Sequence, residues 1–96
     1  MSTYFIFHVR IHDTEKMNAY YDKAGATIEP FHHEILVIDN NTEMLEGNMD
    51  LPRTVVIKFD SREEALRWYN SDAYREARPL RLAATEGYTV LVDGLE

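Results

Sequence analysis

Glu46, Arg53 and Arg81 are residue types that could do chemistry together. Two guanidiniums beside one glutamate could hold a carboxylate, an enolate or a phosphate through paired N–H donors while Glu46 moves a proton. The same three could instead form an ion pair that locks a loop to the last helix, because partly buried arginine is commonly paired for structural reasons. His8 and Arg10 offer a second pairing, a base and an anion clamp, since imidazole titrates near neutrality. A hydrogen bond at a dimer interface is the competing account of His8. Trp68, Tyr69 and Tyr74 could wall a ligand pocket, or they could be the largest bodies available to a thin core.

Other chemistries find little support. Without cysteine there is no thiol nucleophile, thiolate metal site or disulfide framework. His8 and His12 would stand about 13 Å apart along a strand, too far to share an ion, and His32 and His33 diverge if extended. No metal and no cofactor are expected. There is no Gly-rich phosphate loop, no G-x-S-x-G elbow and no HExxH.

Seventeen acidic against ten basic residues give a formal charge of −7, which argues against nucleic acid. Apolar runs of about four residues fall far short of the ~18 needed to span a membrane. The N-terminal stretch has neither a basic lead nor a long apolar run, so a soluble cytoplasmic protein is expected. Ninety-six residues with 45% apolar content describe one domain, residues 1–96, with a thin core.

The elements that must position these side chains centre on Arg53 to Tyr74. Val55, Val56, Ile57 and Phe59 form a strand-length run, and Ser61 with Glu64 makes a capping box that starts a helix. Ala65, Leu66, Trp68 and Tyr69 share a stripe about 160° wide, with Tyr69 central and Trp68 on its flank. Ser71 caps a second helix, on which Tyr74, Ala77 and Arg81 lie in line and Pro79 predicts a kink around Arg78.

Upstream, Thr3 to Ile11 alternates, with Phe5, Phe7, Val9 and Ile11 on one face and Tyr4, Ile6, His8 and Arg10 on the other. Asp13 caps a helix whose stripe is Met17, Tyr20, Tyr21, Ala24 and Ile28, and Pro30 ends it. Glu34 to Asp39 reads as a strand, Thr42 to Glu46 as a short strand pairing back, Gly47 to Pro52 as a loop, and Tyr88 to Val92 as the last strand. The order is that of an α+β, ferredoxin-like βαββαβ fold with a four-stranded antiparallel sheet. Right-handed crossovers place the first and third strands centrally, leaving Tyr4, Ile6, His8 and Val56 on an uncovered face. Pairing two such faces in a homodimer would cover it.

Glu46-Gly47, Arg53-x-Val55-Val56-x-x-Phe59-x-Ser61-x-x-x-Ala65-x-x-Trp68-Tyr69-x-Ser71-x-x-Tyr74 and Arg81 together resemble domain-of-unknown-function family 1330, small bacterial proteins of the dimeric α/β-barrel type. The resemblance covers nearly the whole chain. It implies a ferredoxin-like subunit that dimerises sheet to sheet, and no established reaction. Glu46, Arg53 and Arg81 match positions typical of that family. One departure is His32-His33-Glu34, where the family commonly carries Gly-Gly-Arg before the second strand.

Three functions fit these residues. The first is a homodimer binding a small anionic or aromatic metabolite between helices and sheet, through Arg53, Trp68, Tyr69, Tyr74 and Arg81. The second is a cofactor-free isomerase, lyase or oxygenase acting on a small carbonyl compound, with Glu46 or His8 as catalytic group. The third is a purely structural dimer, which predicts that the space beside Trp68 is filled.

Overall fold

The alternating opening stretch forms β1 (Thr3–Ile11), and the computed structural model, which describes residues 1–95, continues with α1 (Thr14–Ile28), β2 (His33–Asp39) and β3 (Arg53–Phe59). Two helices follow, α2 (Arg62–Tyr69) and α3 (Asp72–Ala84), and β4 (Thr85–Asp93) closes the fold. The four strands make one antiparallel sheet in the order β2-β3-β1-β4, so β1 and β3 are central. This is the ferredoxin-like arrangement.

Caps fix where each helix begins. The Asp13 carboxylate accepts from the Lys16 amide at 3.0 Å, and the Ser61 and Ser71 hydroxyls accept from the Glu64 and Tyr74 amides, each at 3.2 Å. Only half of the expected capping box forms, because the Glu64 carboxylate pairs with Arg67 on its own helix. Pro79 lies inside α3, and the helix runs through it to Ala84. The Ala84 carbonyl, at the end of α3, accepts the amides of both His12 and Asp13, at 2.9 and 3.2 Å, and so ties that helix end to the β1–α1 turn.

The alternation of β1 sorts the core. Phe5, Phe7, Val9, Ile57 and Phe59 are buried against the helices, with Val55 packed beside them. Tyr4, Ile6, His8, Val56, Val90 and Val92 share the opposite face, since Ile6 stands opposite Val56 and Val90 and Tyr4 opposite Val92. From the helix side come Ala65, Trp68, Tyr74, Ala77 and Ala84, all buried. The Trp68 and Tyr74 rings approach to 4.1 Å between centroids. The buried stripe of α2 is narrower than its sequence predicts: Trp68 is the deep aromatic, Tyr69 is half-buried and Leu66 is exposed.

Two expectations need correction, and the register of β2 adds a feature of its own. Thr42 to Glu46 forms no strand; its one backbone bond to the next segment runs from the Thr42 amide to the Pro52 carbonyl at 2.9 Å, and the strands that pair with β3 are β2 and β1. A bulge at Leu36, between Ile35 and Val37, shifts the register of β2 so that Ile35 and Ile38 both face the helices while Val37 meets Val56. Finally, β4 starts at Thr85, three residues earlier than its alternation implies, with Gly87 inside it opposite Val9. That glycine has φ +133°, and a Cβ there would lie 2.1 Å from the His8 carbonyl oxygen. The strand can pass β1 this closely only without a side chain.

Candidate functional site

Between α1 and the inner face of the sheet lies a cavity of about 210 Å³, walled by Phe7, Val9, Met17, Val55 and Ile57 and reached by Trp68, Arg53 and Arg81. Its walls are apolar because both the β1 alternation and the α1 stripe deliver apolar side chains to the same space. Ile35 and Ile38 join them by way of the β2 bulge. What remains polar is two guanidiniums and the hydroxyls of Tyr20 and Tyr21.

Arg81 enters from the last turn of α3, where the helix dipole favours a cation. Only 5% of its surface is exposed. Its guanidinium stands 5.3 Å from the Phe7 ring centre and 5.9 Å from that of Tyr20, and Nη1 reaches the Thr89 hydroxyl at a long 3.4 Å. The Nε–H has no acceptor, and no carboxylate pairs with Arg81 among the described residues. Burial by itself would weaken the hold of this group on its proton, but the hydroxyls of Tyr74, Tyr20 and Tyr69 more than offset it, and the pKa is raised. Arg81 is a cation held by rings and hydroxyls.

The Tyr20 and Tyr74 hydroxyls lie 2.8 Å apart, both buried. Burial, and then the neighbouring Tyr74, push the Tyr20 hydroxyl above its ordinary range, so it stays protonated at neutral pH. Trp68 is 2% exposed, and its Nε1–H donates to the Thr27 hydroxyl at 3.1 Å, which in turn donates to the Ala24 carbonyl at 2.7 Å. The indole is thereby fixed against α1.

Arg53, the first residue of β3, is half-buried at the cavity edge. Its Nη1 donates to the Asn40 side-chain oxygen at 2.6 Å and its guanidinium lies 5.5 Å from the Tyr21 ring centre. Tyr21, expected in the core stripe of α1, is 40% exposed and serves this edge.

The remaining predicted residues fall elsewhere. Tyr69 stacks on Phe5 with centroids 5.5 Å apart, carries Arg78 4.6 Å above it, and borders a second cavity of about 260 Å³ that meets the first at Arg81. Tyr74 is wholly buried behind the cavity, packed on Trp68 and hydrogen-bonded to the Tyr20 hydroxyl. Glu46 is exposed and makes no hydrogen bond or ion pair with Arg53 or Arg81 among the described residues. The expected carboxylate between two guanidiniums is therefore absent: its loop is anchored at Leu51, which is buried, and at Asp50, which pairs with Arg10, leaving Glu46 outside. His8 lies on the opposite face of the sheet, where its Nδ1 and the Thr54 hydroxyl are 3.1 Å apart and its ring neighbours Tyr88. Arg10 is paired with Asp50 through Nη2 and with Glu86 through Nε, the latter at 3.1 Å, so two carboxylates already offset its charge.

Sequence reasoning missed Tyr20 and Tyr21 as cavity residues. The signal was their adjacency, because neighbouring residues on a helix point about 100° apart, and here one turns to the core and the other to the cavity edge. No three His, Asp or Glu side chains gather as a metal site among the described residues, and no helix there is long and apolar enough to cross a membrane.

A family model described as domain of unknown function (DUF1330) matches residues 2–95. The chain belongs to DUF1330. No curated protein matches it. Among solved structures, RPA0582 of Rhodopseudomonas palustris, a protein of unknown function, superposes with a TM-score of 0.84 at 18% identity, over 99% of this chain and 83% of that one. SnoaB of Streptomyces nogalater, a cofactor-independent oxygenase, gives 0.64 at 10% identity, over 99% and 94% of the two chains. HapK of Hahella chejuensis gives 0.60 at 18% identity, over 99% and 93%. At these identities the likenesses establish that this DUF1330 chain shares their fold, and a shared fold does not by itself carry an activity.

Proposed function

We propose that this DUF1330 chain is a single ferredoxin-like domain that forms a homodimer in the bacterial cytoplasm and binds a small anionic or aromatic metabolite in the cavity beside Arg53, Trp68 and Arg81. The observation that carries this reading is a buried guanidinium without a carboxylate facing an apolar space. A structural strut would be expected to have its counter-charge, since an uncompensated buried cation is costly. The space is an open-sided pocket of about 210 Å³, rimmed by the exposed Tyr21, Ile35 and Ile38. It is larger than the roughly 150 Å³ that admits benzene in an engineered protein core.

The geometry favours binding over catalysis. The titratable side chains on the cavity are two arginines and two tyrosines, with neither a carboxylate nor an imidazole to accept a proton near neutrality. The fold shared with SnoaB gives the oxygenase reading a scaffold, but it supplies no base.

Trp68 is the sole tryptophan, so its emission reports on this one place. Small aromatic compounds and small carboxylates should change that emission saturably, and Arg81→Met should weaken the response to the carboxylates. A flat titration for every compound, together with a marked loss of stability in the variant, would return Arg81 to a structural role.

A further inference from the structure

The cavity has a chemistry that narrows its ligand beyond anionic or aromatic. We propose that it takes a small monocarboxylate on an apolar, ring-sized frame, with the carboxylate turned inward onto the Arg81 guanidinium and the frame lying between α1 and the sheet. The assignment rests on the binding reading above and specifies it.

Charge supplies the first reason. On the surface, Arg10, Arg62 and Arg67 each have a carboxylate partner. In a chain with seventeen acids and ten bases, the deeply buried Arg81 has none. Rings, a helix terminus and hydroxyls hold its charge, yet the Nε–H is left without an acceptor. A carboxylate neutralises one positive charge and can pair through its two oxygens with the terminal nitrogens of a guanidinium.

The second reason is the number of charges. Arg53 is half-buried, bonded to the neutral Asn40 and stacked near Tyr21, so water already screens it. It attracts an anion toward the cavity without requiring a second buried acid. One carboxylate therefore suffices. A phosphate would bring more charge and three strongly hydrated oxygens into walls made of Phe7, Val9, Met17 and Ile57, which offer no further side-chain donors. Size and shape set the frame. About 210 Å³ accommodates one ring with a small substituent, and the faces of Phe7, Tyr20 and Trp68 favour a planar body.

Calorimetric titration of the full chain with four probes of one shape tests this: benzoate, benzamide, benzyl alcohol and phenylphosphonate. Benzoate should bind at least about tenfold tighter than benzamide or benzyl alcohol, the size of one charge-assisted hydrogen bond. Phenylphosphonate should bind more weakly than benzoate. Arg81→Met should bring benzoate down to the benzamide level and leave benzamide within about threefold of its wild-type affinity. Should that variant fail to fold, the comparison of probes on the wild-type protein decides alone. Benzamide or benzyl alcohol matching benzoate, or phenylphosphonate surpassing it, overturns the monocarboxylate assignment and leaves the cavity a binding site of another specificity. Failure of all four probes to bind at millimolar concentration overturns the assignment and the binding reading together.

Discussion

The hydroxyls of Tyr20 on α1 and Tyr74 on α3 meet at 2.8 Å inside the core, a polar bond across two helices otherwise joined by apolar packing. Removing one partner takes a buried hydrogen bond from the other and leaves it only the Arg81 guanidinium as a polar neighbour. Tyr74→Phe should therefore lower stability by about 1–3 kcal/mol, while Tyr20→Phe with Tyr74→Phe should cost less than the sum of the two single changes. Chemical denaturation of the four proteins in this cycle checks it, and strict additivity would count against the bond.

The same pair sets an alkaline limit. The Tyr20 pKa is raised in the fold above its ordinary value of 10.0, first by burial and then by Tyr74, so the fold prefers the protonated hydroxyl. This contribution is fully present below pH 10.0 and is lost as the pH rises from there toward the folded value. Stability should be level in this respect through neutrality and fall in strong alkali, and Tyr20→Phe should lessen the fall. Melting temperatures measured from about pH 7 to 11 would show it.

Gly87 offers a test of the strand crossing. Its φ of +133° and the 2.1 Å that would separate an added Cβ from the His8 oxygen leave no room for a methyl group. Gly87→Ala should cost about 3 kcal/mol or more, whereas Gly25→Ala, inside α1 with nothing within 4 Å of the added atom, should stabilise the fold by roughly 0.5–1 kcal/mol. Equal effects at the two positions would mean that β4 crosses β1 differently.

The proposed dimer is tested on the open sheet face. Val56 stands opposite Ile6 and Val37 on the face of the sheet turned away from the Phe5 and Phe7 side chains, with Val90 on the far side of Ile6. Val56→Asp should weaken self-association by roughly a hundredfold, the effect of burying an unpaired charge. Light scattering should find wild-type dimers and variant monomers at micromolar concentration. A monomeric wild type, or a variant that remains dimeric, would reject this face as the interface.

Much of the scaffold was legible because its signals are local. Asp13, Ser61 and Ser71 cap where their side-chain chemistry requires, and the alternation of Phe5, Phe7 and Val9 fixes which face of β1 is buried. The features that escaped depend on neighbours in space. The bulge at Leu36 carries no composition signal, since every residue from Ile35 to Ile38 is aliphatic and either register would bury apolar side chains. Gly87 reads as a turn residue until β1 is placed beside it. Arg53, Trp68 and Arg81 do border one space, but Glu46 was grouped with them by the family resemblance. Its position follows from how a loop is anchored, through Leu51 and the Arg10–Asp50 pair, which periodicity does not encode.

The double acceptance at the Ala84 carbonyl has a consequence for hydrogen exchange. That one oxygen holds the amides of His12 and Asp13, so the start of α1 can open only by releasing the end of α3, three residues beyond Arg81. Exchange at these two amides requires the contact between the β1–α1 turn and the end of the helix that carries Arg81 to break. Whatever steadies Arg81 should slow them as well, which makes two backbone protons in a surface turn reporters of an event inside the core.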